Sequence, residues 1–214
     1  MENQVKYGKE ARQGLLRGID KLADAVVSTL GPNGRNVVIF RGHNEAPQST
    51  KDGVTVAKSF LTSDPEEHLG QLLLRQAAMR TADKAGDGTT TSTLLAREMI
   101  KNGLSALDNG ENAVKIKRDI DKTVNLVISN LSNSIAEDIS GENQLEQIAT
   151  ISSNNDEETG KLIAKAIEKV GLEGVVHVEE SKTGDTYLET VEGMQFDRGF
   201  KSPYFVTDNG SMQS

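Results

Sequence analysis

Ala85-Gly86-Asp87-Gly88-Thr89-Thr90-Thr91-Ser92-Thr93-Leu94-Leu95-Ala96 is the stretch from which the rest of the chain is read. Two glycines flank a carboxylate, three threonines follow, and an apolar run with helical spacing comes next. A glycine turn therefore feeds the first turn of a helix. That first turn has N–H groups without intrahelical partners and the positive end of the helix dipole. Hydroxyls beside such groups suit a phosphate. Asp87 stands where a hard cation can bridge carboxylate and phosphate oxygens. The same residues also read as an ordinary glycine turn with a threonine cap. On this stretch alone both readings stand.

Upstream, Leu15, Leu16, Ile19, Leu22, Ala23, Val26 and Leu30 recur at helical spacing, and Gly31-Pro32 ends that helix. Asn36–Phe40 reads as a buried strand, followed by a polar, irregular segment over 41–50. Lys51-Asp52-Gly53 makes a tight turn. Asp64-Pro65-Glu66-Glu67 opens the helix that ends at Gly86, with an acidic cap and proline at its first position. Downstream of the threonines the helix carries Leu94, Leu95, Met99 and Ile100; Gly103 interrupts it, and it can resume through Leu104 and Leu107 to Gly110. Another helix starts near Asn112. A Ser/Asn/Asp-rich stretch over 132–141 reads as a boundary or hinge. Two shorter helices follow, over 144–152 and from about Asp156 to Val170. Val175–Glu179 then alternates in part like a strand, with Tyr187–Val191 as its partner.

The 214 residues allow one or two domains, and the balance of 24 basic to 32 acidic side chains gives a formal charge of −8. That argues against nucleic acid as the main partner. There is no cysteine, which removes thiol chemistry and is compatible with a reducing cytosol. The expectation is a cytoplasmic protein. No apolar run is long enough to span a membrane, so no membrane partner is expected. Tryptophan is absent, and Phe196, Phe200, Tyr204 and Phe205 crowd into the final segment. The earlier part must be packed with Leu, Ile, Val and Ala, as helix-on-helix cores are.

Three turns share the ability to bring bare backbone or a short polar side chain to a surface: Thr29-Leu30-Gly31-Pro32, Lys51-Asp52-Gly53 and Asp87-Gly88-Thr89-Thr90-Thr91. None fits the Walker pattern or Gly-x-Gly-x-x-Gly. Singly, each is explained by helix termination or an ordinary turn. His43, His68 and His177 are scattered and form no metal-ligand pattern.

In this order the turns resemble the group I chaperonins, the GroEL-like family. The resemblance runs through Leu22–Val26, Thr29–Val38, Thr50–Val54, Ala85–Thr91, Gly160–Ala164, Val170–Val175 and Val191–Phe200. It implies a mainly α chain with small β elements. It also implies the N-terminal half of an ATP-binding equatorial domain (1–134), the first part of an intermediate hinge domain (135–192) and the start of an α/β apical domain (193–214). Thr29, Leu30, Gly31 and Pro32 would line the adenosine and α-phosphate side, and Lys51 would pair with phosphate oxygens. Asp87 would hold Mg²⁺, while Gly88, Thr89, Thr90 and Thr91 would cradle the β- and γ-phosphates. Asp52 would be the catalytic residue that positions the attacking water. Phe200, Tyr204 and Phe205 would meet unfolded polypeptide and a co-chaperonin lid, and Gly193 would be the upper hinge. The resemblance thus implies an ATP-dependent chaperone in a homo-oligomeric ring. The alternative is a chaperonin-like binding module without ATP turnover.

The departures are specific. Lys201 replaces an apolar residue, and the loop Phe40–Glu45 is about one residue longer than the family pattern. Asp108–Ala113 lacks an Ala-rich, proline-containing form, which puts a two-ring assembly in doubt. The family's second water-directing aspartate and the other half of the equatorial domain are expected beyond residue 214.

Overall fold

A computed structural model describes residues 5–42, 45–171, 174–179, 181, 184–191 and 193. The chain divides into two compact units, Met1–Asp138 and Ile139–Ser214. The described structure is mainly α-helical with one small β-hairpin.

The first unit is built on helix α1 (Gly8–Val27), which buries Ile19, Leu22, Ala23 and Val26. These join Val56 and Ala57 of α2 (Gly53–Ser59) and Leu74 and Ala78 of α3 (Pro65–Ala85) in one core. Ala96 and Ile100 of α4 (Thr89–Asp108) pack on its edge. The core side chains are small to medium, so the helices must approach closely to exclude voids.

Glycines make that approach possible where α1 crosses α3. A Cβ on Gly18 would overlap the Glu67 carbonyl oxygen, and one on Gly70 would overlap the Leu15 carbonyl oxygen. A Cβ on Gly14 would collide with the Glu66 side chain. The Glu67 carboxylate lies in the same crossing, 6% exposed. It accepts hydrogen bonds from Lys21 Nζ at 2.6 Å and Thr62 Oγ1 at 3.1 Å. The lysine bond holds its carboxyl below the usual range, against burial, which pushes the other way.

Helix α4 runs antiparallel to α1, and a ladder of ion pairs records the register. Asp24 meets Arg97 at 2.7 Å, Asp20 meets Lys101 at 3.8 Å, and Arg12 and Lys9 meet Asp108 at 3.1 and 3.7 Å. Exposed pairs of this kind add little stability, but they fix which turns face one another.

Gln71 on α3 is 2% exposed, and neither its Nε2 nor its Oε1 has a hydrogen-bond partner. A buried amide without a partner costs its desolvation, whereas an apolar side chain of similar length does not. Gln71→Met is therefore expected to stabilise the chain by about 1 kcal/mol, read as a higher urea midpoint at unchanged slope. A lower midpoint would show that bound water satisfies the amide.

Several elements differ from the sequence reading. The strand over 36–40 is only Val37–Ile39 (β1), and it is not buried: Val38 is 67% and Phe40 69% exposed. It pairs antiparallel with Gln48–Thr50 (β2), so the segment read as irregular supplies a strand. The hairpin forms a two-stranded sheet, so its outer face stays open. The Lys51-Asp52-Gly53 turn runs directly into helix α2, because the Asp52 side chain caps the Val54 and Thr55 N–H groups. Gly103 does not interrupt α4; its bare Cα fits against Ile116 of α5 (Ala113–Asn130). Helix α5 is capped by Asn112 and buries none of its residues, and it ends in a π-turn over Leu131–Ile135.

In the second unit α6 (Glu142–Ser152) and α7 (Glu157–Val170) form a helical hairpin. Ala149 and Ala166 are buried between them, and Gly160 sits directly on Thr150. Asp156 caps α7 through the N–H groups of Glu158 and Thr159. Val175–Glu179 and the described residues of 184–191 are not strands. Val175 and Val178 are 77% and 78% exposed, so among the described residues nothing covers this segment to hold it in a sheet. Phe200, Tyr204 and Phe205 lie outside the described residues. Gly193 is described and has φ +125°, a conformation open to glycine.

Candidate functional site

The site is assembled from the ends of four helices. Gly86 closes α3 in the left-handed conformation (φ +74°), and Gly88 opens α4 in the same region (φ +80°). Two left-handed residues around Asp87 fold the chain back on itself, which only glycine does without strain. The Asp87 carboxylate accepts the Gly88 N–H at 2.6 Å. No side chain caps α4. Its first turn is Thr89, Thr90 and Thr91, of which Thr89 is buried, so the positive end of a 20-residue helix is presented together with the Thr90 and Thr91 hydroxyls. An Asp or Asn side chain caps each of α2, α3, α5 and α7, whereas α1 and α6, like α4, have no side-chain cap.

The other two turns converge on this one. Thr29 Oγ1, just past the end of α1, lies 3.3 Å from Thr90 Oγ1 and donates to the Val26 carbonyl at 2.7 Å. Gly53, the first residue of α2, lies against the same threonines. A Cβ there would overlap Thr90 Oγ1 and sit 3.1 Å from Thr89 Oγ1 and 3.3 Å from the Thr90 nitrogen. Below them Thr93 is fully buried and donates to the Thr89 carbonyl at 2.8 Å, which ties the first turn to the core.

The remaining residues named from sequence reach the rim as chain neighbours of these contacts. Leu30 is 40% exposed, and Gly31 (φ +72°) and Pro32 are exposed on the turn after Thr29. Lys51 and Asp52 directly precede Gly53. The Asp52 carboxylate has a structural task, accepting the N–H groups of Val54 and Thr55 at 3.1 and 3.0 Å and the Thr55 hydroxyl. Gly53 and Thr93 were not among the site residues read from sequence. The signal for Gly53 was available, since a glycine directly after an N-cap aspartate gains nothing in helix propensity and points to a close approach.

Chemically, the converging turns offer hydroxyls and helix-end N–H groups, with one lysine and two carboxylates as chain neighbours. These are hard oxygen and N–H groups suited to phosphate and to a hard cation. Among the described residues no group of three or more His, Asp or Glu side chains is clustered to hold a metal. A cation at Asp87 would thus rely on phosphate oxygens and water for most of its shell, as Mg²⁺ commonly does.

The model of the TCP-1/cpn60 chaperonin family matches residues 22–212, which takes in all three turns. The chain belongs to that chaperonin family. Among solved structures it is similar to the chaperonin gp146 from the bacteriophage EL 2 (Pseudomonas aeruginosa), crystallised in the presence of ATP-BeFx. In crystal form II the identity is 34% and the TM-score 0.61, over 74% of this chain and 28% of the phage chain. Crystal form I gives 33% and 0.60 over the same shares. A group III chaperonin in the open state shares the fold, with TM-score 0.61 at 21% identity over 75% of this chain and 32% of that one. This chaperonin chain thus spans a little over a quarter of the length of its phage relative.

Proposed function

We propose that this chain carries the phosphate-facing wall of the nucleotide site of an ATP-dependent chaperone subunit of the group I, GroEL-like type. The observation that supports this best is the meeting of Thr29, Gly53 and Thr90 around the uncapped start of α4. Family membership and the phage relative crystallised with an ATP analogue point the same way. In this reading residues 1–134 form the equatorial part, 135–192 the intermediate part and 193–214 the start of the apical part. The complete subunit assembles as a homo-oligomeric ring, binds unfolded polypeptides through an apical surface that includes Phe200, Tyr204 and Phe205, and accepts a co-chaperonin lid.

Each residue has a distinct task. Thr29, Leu30, Gly31 and Pro32 flank the adenosine and α-phosphate. Gly88 lets the backbone come close to the β- and γ-phosphates, the Thr89–Thr91 turn donates N–H and hydroxyl groups to them, and Lys51 adds a point charge. Asp87 holds Mg²⁺ and thereby neutralises charge on the phosphates. Asp52, fixed by its hydrogen bonds to α2, orients the attacking water. Phosphoryl transfer gains mainly from positioning and charge neutralisation. A wall that supplies only part of the site therefore binds more readily than it hydrolyses.

Calorimetric titration of the 214-residue chain with ATP in excess Mg²⁺ tests this. Weak, saturable binding with little or no turnover is expected. Asp87→Asn should weaken it at least about tenfold, since the amide oxygen can still accept the Gly88 N–H while the charge that would hold the cation is lost. Absence of binding at millimolar ATP, or an Asp87→Asn chain that binds as well as the parent, would overturn the assignment. Full turnover by this chain alone would overturn the reading of the site as incomplete.

A further inference from the structure

Four Asn-Gly steps occur in the sequence, at Asn33, Asn102, Asn109 and Asn209, and the first three fall among the described residues. Asparagine is a thermolabile side chain, most of all before glycine, where no Cβ keeps the next nitrogen away from the amide carbon. The three steps differ sharply in how the fold holds them.

Asn102 lies inside α4, where the following nitrogen belongs to the helical ladder, and its own Nδ2 donates to the Glu98 carbonyl at 2.8 Å. Gly103 is also packed on Ile116. At Asn33 the next nitrogen donates to the Gly31 carbonyl at 2.9 Å, and Gly34 is wedged against the Thr29 carbonyl, with no room for a Cβ. Asn109 is different. It is the exposed C-cap of α4, and Gly110 has φ +92° with open space around its Cα. The Gly110 nitrogen makes one bond, to the Leu107 carbonyl at 3.0 Å, at a helix end where such bonds open most easily.

We propose that Asn109 is a site of spontaneous deamidation that alters the turn joining α4 to α5. The Gly110 nitrogen, once deprotonated, attacks Asn109 Cγ. A C–N bond closes a succinimide ring, and the side-chain amide nitrogen leaves as ammonia, taking up the proton. Water then adds to one of the two ring carbonyls. Opening on one side gives aspartate, and on the other isoaspartate, whose main chain is one methylene longer. No oxidation or reduction occurs.

The position gives the change a consequence. The new carboxylate stands beside Asp108, which already holds Lys9 and Arg12, at the end of α4 where the helix dipole disfavours negative charge. The turn also leads directly into Asn112, the cap of α5, a helix with no buried residue to hold it independently. Lengthening this turn therefore loosens the start of α5.

The test is to incubate the chain at mildly alkaline pH, once native and once in denaturant, and to map aspartate and isoaspartate peptide by peptide. In denaturant the steps should react alike. In the native chain Asn109 should keep a rate near its denatured value, while Asn102 is slowed at least about tenfold, because its helix must open first. Asn33 should fall between them. Asn109→Gln should abolish modification of its peptide and leave the others unchanged. Equal protection of Asn109 and Asn102, or faster native reaction at Asn33 than at Asn109, would overturn the site. Amide exchange on the isoaspartate fraction should be faster in the first turns of α5, and unchanged exchange there would overturn the loosening.

Discussion

Gly18→Ala is expected to cost about 3 kcal/mol, and to lower the melting temperature by about 10 °C. The added Cβ would overlap a backbone carbonyl, that of Glu67, rather than the tip of a side chain that could swing away. Relief requires α1 and α3 to separate, and their separation opens the contact among Ile19, Leu22 and Leu74. It also pulls the Glu67 carboxylate from Lys21, leaving a buried charge poorly paired. The same exchange at Gly103 should have the opposite sign. There the added Cβ would meet Ile116 at an ordinary 3.8 Å, and alanine gains about 1 kcal/mol of helix propensity. Thermal melts of the two variants side by side check the pair. A Gly18→Ala chain that melts with the parent would refute the close crossing of α1 and α3.

The second large effect is expected at Gly53→Ala. Here the Cβ would press on Thr90 Oγ1, Thr89 Oγ1 and the Thr90 nitrogen, so the start of α2 must back away from the start of α4. Stability should fall by about 1–2 kcal/mol, the usual range for overpacking. Nucleotide affinity should fall at least about tenfold, because displacing donors by an ångström removes the alignment that phosphate recognition needs. Combined with Thr90→Ala, the stability loss should be smaller than the sum of the single losses, since one overlap is shared. The coupling is read from denaturant midpoints and the affinity from Mg-ATP titration. Retained affinity in Gly53→Ala would show that the two helix ends need not meet for binding.

These two glycines show where sequence reading stops. Gly86 and Gly88 were legible because their work is local: one closes a helix, the other opens one, and each has a positive φ. Gly31 also has a positive φ but lies beyond the end of α1, which closes at Ser28 and not at Gly31 as read from sequence. Gly18 and Gly53 have ordinary helical surroundings, and their reason lies in another helix. The spacing of Gly14 and Gly18, one turn apart on α1, was the available trace of a close crossing. It does not say what crosses. The short segments failed for a related cause. Val37–Ile39 has strand composition, yet its burial depends on whether a further layer covers it, and the same holds for Val175–Glu179. A partner strand as polar as Gln48–Thr50 leaves no periodic signature, because backbone pairing rather than side-chain pattern holds it.

By itself the sequence determined most of the long helices and several of their limits. Asp64-Pro65 and Asn112 start helices, Gly86 stops one, and apolar residues recur every three or four positions between. It also marked Asp87–Thr91 as a turn able to meet phosphate. Those are rules of contact within about one helical turn, so they can be read along the chain. Only the tertiary structure decided that Thr29 and Thr90, 61 residues apart, face each other at 3.3 Å, with Gly53 closing the gap. That meeting depends on how closely α1, α2 and α4 pack around Ile19, Val56 and Leu74, and it follows from no local pattern. The threonine turn is a helix start in the sequence, and in the fold it becomes one side of a three-sided site.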